Sequence, residues 1–175
     1  GWEEVLYSQT SFVFFANNDN FKHIATILRM DKYNLFEFLP GKIKNNYTIQ
    51  DRFHYYLPTW ELEEFPDNIS TKKIGLTNDF LFKLLNSLRD DDFNDVLSKN
   101  GFELISKNES GREIKAVEKT VSGLIKLLNL SEDFTRNELK MYLKYALEGR
   151  NRVFLQSNPI KDEIVYFDSK DKEKI

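Results

Sequence analysis

Arg112-Glu-Ile-Lys-Ala-Val-Glu-Lys-Thr-Val-Ser-Gly-Leu-Ile-Lys-Leu-Leu128 decides the fold class. Ile114, Val117, Val121, Leu124 and Leu128 recur at three- and four-residue spacing, which predicts a helix over 112–129 with those residues on one buried face. Ala116, Thr120 and Gly123 are small, so they would let another element approach closely. A second helix is predicted directly after it. Thr135 and Glu138 stand in capping-box order, and Leu139, Tyr142, Leu143, Ala146 and Leu147 follow as the apolar stripe. Two such neighbours point to a helical bundle.

Upstream, Thr77 can cap a helix whose inward face is Phe80, Leu81, Leu84, Leu85 and Leu88. A shorter helical segment, 91–99, groups Phe93, Val96 and Leu97, with Gly101 in the usual stop position. Residues 59–75 carry Pro66 and several charges and read as a linker. Before it, 11–16 (Ser-Phe-Val-Phe-Phe-Ala) is rich in β-formers and reads as a buried strand ending in the polar cluster Asn17-Asn18-Asp19-Asn20. Phe21, Ile24, Ile27 and Leu28 predict a short helix over 21–30. Pro40-Gly41 and Asn45-Asn46 make 34–50 irregular chain with a helical turn. Residues 53–57 read as a second strand, stopped by Pro58. A last strand is expected at 163–167, then a charged, frayed end. The fold class is therefore mostly α with a small partial β-sheet, in which 11–16 and 53–57 pair with each other or with another chain.

The chain has 175 residues, 41% of them hydrophobic, which suffices for one packed core and rules out a disordered composition. A net charge of -3 is too mild to imply a polyanionic partner. Without cysteine there is no disulfide framework, thiolate nucleophile or zinc–cysteine site, which fits a reducing cytoplasm. No stretch is apolar enough to cross a membrane. The opening Gly1-Trp2-Glu3-Glu4 lacks both an initiator Met and the pattern of a signal peptide, so Gly1 is expected to be either an added residue or the edge of an internal cut.

Several chemistries have no residues here to carry them. There is no Gly-x-x-x-x-Gly-Lys-Ser/Thr loop, and no apolar run ending in paired acids that would hold magnesium. His23 and His54 lack metal-ligand spacing, so no metal site is expected. Arg89-Asp90-Asp91-Asp92 reads as a solvated helix junction. No Ser-His-Asp or Ser-Lys arrangement stands out.

Three features remain. Asn17 ends an apolar strand, Arg52 lies in Asp51-Arg52-Phe53 just before another, and Arg112 opens a bundle helix. Each has an ordinary reading: a turn residue, a surface ion pair with Asp51, a first-turn side chain. Together they match what phosphoryl transfer in an ATPase ring requires. A polar strand tip orients the attacking water, a neighbouring subunit's arginine offsets charge in the transition state, and a lid arginine senses nucleotide. Arginine suits both positive roles because its charge is permanent and its donors form a rigid fork.

The local wording resembles the Lon-related AAA+ proteins of the BREX phage-defence systems, the BrxL family. Ser11-Phe-Val-Phe-Phe-Ala-Asn17 is similar to that family's strand ending in Asn. Gln50-Asp-Arg-Phe-His-Tyr-Tyr-Leu-Pro-Thr-Trp-Glu61 resembles its Asp-Arg-x-His-x-x-Ile-Pro-Gly-Trp-Glu motif, with Thr59 in place of the usual Gly. Residues 112–128 and Tyr142-Leu-Lys-Tyr-Ala-Leu-Glu-Gly-Arg-Asn-Arg-Val153 resemble the lid helices.

The resemblance implies an α/β AAA+ fragment with a helical lid bundle. Residues 1–66 would be the end of the α/β core, 67–158 the lid, and 159–175 the start of a Lon-like domain or a disordered tail. It implies Asn17 as first sensor, Arg52 as a finger acting on the neighbouring subunit, and Arg112 as second sensor. It further implies ATP and Mg²⁺ as cofactors of the full-length ring, none bound tightly by this portion, with other ring subunits and DNA as partners. Two alternatives stand beside this: part of an ATP-dependent Lon-type protease, and a stand-alone helical protein-interaction module.

Overall fold

The computed structural model describes residues 12–15, 34–58, 62, 74–104, 111–129, 133–157 and 165–175. In chain order the described elements are α1 (Gly41–Lys44), α2 (Tyr47–Gln50), α3 (Asn78–Ser87), α4 (Val96–Lys99), β1 (Phe102–Leu104), α5 (Gly111–Leu128), α6 (Arg136–Ser157), β2 (Tyr166–Asp168) and β3 (Glu173–Lys174). The fold is mostly α with minimal β, as the sequence predicts. The chain divides into two units, Gly1–Tyr33 and Asn34–Ile175.

The second unit is built on α5 against α6. The capping box forms as predicted: the Thr135 N–H and hydroxyl both donate to Glu138 Oε2 (2.7 and 2.8 Å), and the Glu138 N–H donates back to Thr135 Oγ1 (3.3 Å). Leu139, Tyr142, Leu143, Ala146 and Leu147 are all buried, and α6 runs on to bury Val153 and Phe154. Their partners are Val117, Val121 and Ile125 of α5, joined by Val96, Leu97, Phe102 and Tyr166. Each such aliphatic side chain contributes about 1.5–3 kcal/mol relative to exposure.

The α5 face is turned from the one predicted. Its buried residues are Glu113, Ala116, Val117, Val121, Ser122 and Ile125, while Leu128 is 62% exposed. The i, i+4 row 113–117–121–125 meets α6, and a carboxylate is tolerated in that row because an arginine faces it across the helix pair. The expected close approach at Gly123 is not seen among the described residues; a Cβ there would meet none of them within 4 Å.

β1, β2 and β3 form an antiparallel sheet in that order, with Phe102 opposite Asp168 and Asp168 opposite Glu173. Gly101 enters β1 at φ +80, a backbone conformation that favours glycine, and a Cβ there would lie 2.5 Å from Ser169 Oγ and displace that hydroxyl. The tail does not fray: Tyr166 and Ile175 exchange both backbone hydrogen bonds (3.1 and 2.8 Å).

Three further expectations need correction. Residues 12–15, in the first unit, form no strand and expose Phe12, Val13, Phe14 and Phe15. The described strands pair only with one another. Residues 53–57 are not a strand either. Their backbone is engaged by α6 instead, with the Tyr56 N–H donating to Gly149 O (3.2 Å) and Arg150 donating to Phe53 O (2.6 Å). Thr77 does cap α3, accepting from the Phe80 N–H (3.3 Å), but no α3 residue is buried and Phe80, Leu81 and Leu85 are exposed. No described segment covers that face. The predicted 21–30 helix and nearly all of the 59–75 linker lie outside the described residues. Among the described residues, no helix is long and apolar enough to cross a membrane.

Candidate functional site

Asp51 closes α2 as its C-cap, its N–H donating to Tyr47 O (2.9 Å), so the chain leaves the helix in a turn through Arg52 and Phe53. Phe36 stacks on Phe53 (centroids 5.5 Å apart) and meets Tyr56 edge-on at 5.9 Å, seating this turn on its own aromatic cluster. Gln50, buried beneath, donates to the carbonyls of Ile43 and Lys44 (3.3 and 2.5 Å) and ties α2 to α1. The Leu35 N–H donates to Gln156 Oε1 (3.0 Å), a second attachment to α6.

The turn docks on α6 at Gly149 and Arg150. A Cβ on Gly149 would fall 2.1 Å from the Tyr55 ring, so the absent side chain is what admits the ring. Arg150 is wholly buried. Its Nη1 donates to Asp51 O (3.1 Å) and Phe53 O (2.6 Å), and its Nη2 to Asp51 Oδ1 (2.7 Å). Glu113 of α5, also buried, lies 3.5 Å away. A buried guanidinium is tolerated because two carboxylates balance it and two carbonyls take its fork.

Asp51's other oxygen accepts from Arg112 at 2.9 Å. A cation in the first turn of a helix gains nothing from the helix dipole; Asp51 accounts for its position. Arg112 remains half exposed. Arg52, by contrast, does not pair with Asp51. Its side chain is exposed, and among the described residues its guanidinium has no partner. The structure therefore brings Arg52 and Arg112 to one neighbourhood through Asp51. Asn17 and His23 lie outside the described residues. His54 stands beside the turn, and its pKa is lowered by partial burial and by the nearby cations Lys119 and Arg150.

A second charged cluster joins the sheet to α6. Asp168 is fully buried, pairs with Arg136 and Lys140 (3.0 Å to Lys140), and accepts from the N–H groups of Lys170 and Asp171 (2.9 and 3.1 Å). Burial works to raise its pKa, yet these donors hold the carboxyl well below the usual carboxylate range. Lys140 also bonds Asp171 and Glu173, which push its pKa up. Asp168, Asp171 and Glu173 gather as ligands of a cation would; the cation among them is the Lys140 ammonium. Residues Arg89–Asp92 are exposed, consistent with a solvated junction.

Sequence reasoning missed Arg150. Two signals were present: Arg150 stands four residues after Ala146 and seven after Leu143, on the apolar face, and a glycine precedes it inside a helix. A charge in a buried register demands a partner, and a mid-helix glycine marks a close approach.

A charged turn is thus clamped onto the longer of two packed helices, with Arg52 exposed, and it joins residues 50–58 to the helices at 112–128 and 142–153. Residues 2–171 match the family described as Lon-like protease BrxL-like, ATPase domain, and the chain belongs to that family. It is 36% identical over 119 residues to the Lon-like protease BrxL of Bacillus cereus (strain H3081.97), covering 68% of this chain and 17% of that protein. It is 35% identical over 103 residues to the Lon-like protease BrxL of Escherichia coli O9:H4 (strain HS), covering 59% of this chain and 15% of that protein.

Proposed function

We propose that this chain supplies the sensor, arginine-finger and lid portion of a ring-forming ATPase, within a larger protein that acts with DNA in defence against phage. Arg52 would offset charge on a nucleotide held by the neighbouring subunit. Arg112 would sense nucleotide from the lid by exchanging Asp51 for a phosphate. ATP and Mg²⁺ would be cradled by residues this sequence does not contain, so the chain alone would not turn over ATP. The observation that carries the reading is Arg52: an exposed arginine whose backbone is fixed on a structured turn while no described residue occupies its guanidinium. Such a group is poised for an external anion.

Arg52→Ala in the full-length protein tests it. ATP turnover should fall by roughly 10³-fold or more while nucleotide binding changes little. Normal turnover would sink the assignment. Proteolysis is suggested by the relatives' name alone, and no residue described here favours it.

A further inference from the structure

We infer that Arg150 is the positioning residue for Arg52, transmitting the attitude of helix α6 to the finger; this rests on the reading of Arg52 given above. The two carbonyls that Arg150 Nη1 grips, those of Asp51 and Phe53, lie on either side of residue 52 along the chain. Its Nη2 holds the Asp51 carboxylate as well. The backbone carrying Arg52 is therefore fixed before and after the residue, while the Arg52 N–H is held by Ile49 O at 3.0 Å. Among the described residues, nothing pairs with the exposed Arg52 guanidinium.

The anchor is rigid at its other end. Arg150 is wholly buried within α6, between Ala146 and Val153, which are themselves fully buried. The Tyr56 N–H bonds the carbonyl of the adjoining Gly149 (3.2 Å), so the turn and this point of α6 move as one body. The remaining Asp51 oxygen holds Arg112 at the start of α5. A tilt of the helix pair would thus carry the backbone of Arg52 with it. A displacement of about 1 Å can cost a reaction 10²-fold when the group acts by position.

The test is a pair of single variants and their combination in the full-length, assembled protein, read as kcat and KM for ATP. Arg150→Lys keeps the charge but replaces the fork with one ammonium, which cannot serve three acceptors in that geometry. It should lower kcat about tenfold or more with KM little changed, since the defect is felt in the transition state. Because Arg150 also grips the Asp51 carboxylate that holds Arg112, the comparison is made in an Arg112→Ala background; there, added to Arg52→Ala, it should cost less than about twofold further. Equal losses in both backgrounds would overturn the inference, as would full turnover in Arg150→Lys when Arg52→Ala is slow. If Arg52→Ala alone turns over normally, the finger reading fails and this inference with it, a result distinguishable at the first variant. Should Arg150→Lys not assemble, Asp51→Asn replaces it in the same Arg112→Ala background; its kcat loss must likewise vanish when Arg52→Ala is added.

Discussion

Asp51 and Arg150, ninety-nine residues apart, close a charged hydrogen bond of 2.7 Å in which the guanidinium is entirely removed from solvent. Breaking a buried pair from one side leaves a charge without compensation, which costs about 3–5 kcal/mol. Arg150→Met should therefore lower the unfolding free energy in urea by that order. Arg112→Ala removes a half-exposed partner of the same carboxylate and should cost less than about 1 kcal/mol. If the two variants unfold alike, the clamp is not where the stability lies.

Gly149→Ala should destabilise by about 1–3 kcal/mol, since its methyl enters the Tyr55 ring and the neighbours must shift. Most of that cost should disappear in a Tyr55→Ala background. A thermal-unfolding double-mutant cycle measures the coupling; simple additivity would mean the ring is not held against the helix.

These expectations divide along a line that also separates what the sequence discloses from what it hides. Thr135 and Glu138 declare the α6 start because a capping box is local chemistry, complete within four residues. The stripe from Leu139 to Leu147 is legible for the same reason. The α5 face is misjudged by about one residue because Glu113, read alone, belongs in water; only the arginine across the helix pair admits it. Residues 53–57 carry β-forming side chains, yet their carbonyls find Arg150 before any strand, a choice settled by a residue far along the chain. Arg52 and Arg112 are visible as candidates, while the Asp51 bridge that gathers them is a tertiary fact.

His54 sets a pH dependence. Its folded pKa lies below the ordinary 6.5 because partial burial, Lys119 and Arg150 disfavour the charged form. Protons then bind the unfolded chain more readily, so the contribution is fully present above pH 6.5 and declines as pH falls toward the folded value. Urea midpoints for the wild type should drop between pH 7 and pH 5.5, and His54→Gln should flatten that slope. An unchanged slope in the variant would assign the dependence to other groups.

The apolar face of α3 should be indifferent to charge. Phe80 and Leu85 are exposed, so Phe80→Lys and Leu85→Lys should each leave stability within about 0.5 kcal/mol. Leu143→Ala, from the fully buried stripe of α6, should cost about 2–5 kcal/mol in the same assay. A large loss in either lysine variant would show that the face is covered in solution.

The Lys140 ammonium, set among Asp168, Asp171 and Glu173, is a counter-ion that cannot diffuse away. A bound metal would leave on dilution or chelation and return on mass action; a tethered charge keeps one-to-one stoichiometry at every protein concentration. The closing hairpin is therefore balanced by covalent connectivity instead of by the composition of the medium, and its integrity should not depend on divalent cations. The vulnerability moves to the lysine itself. Any chemistry that neutralises that single amine strips several carboxylates of their balance at once, with the buried Asp168 left leaning on Arg136.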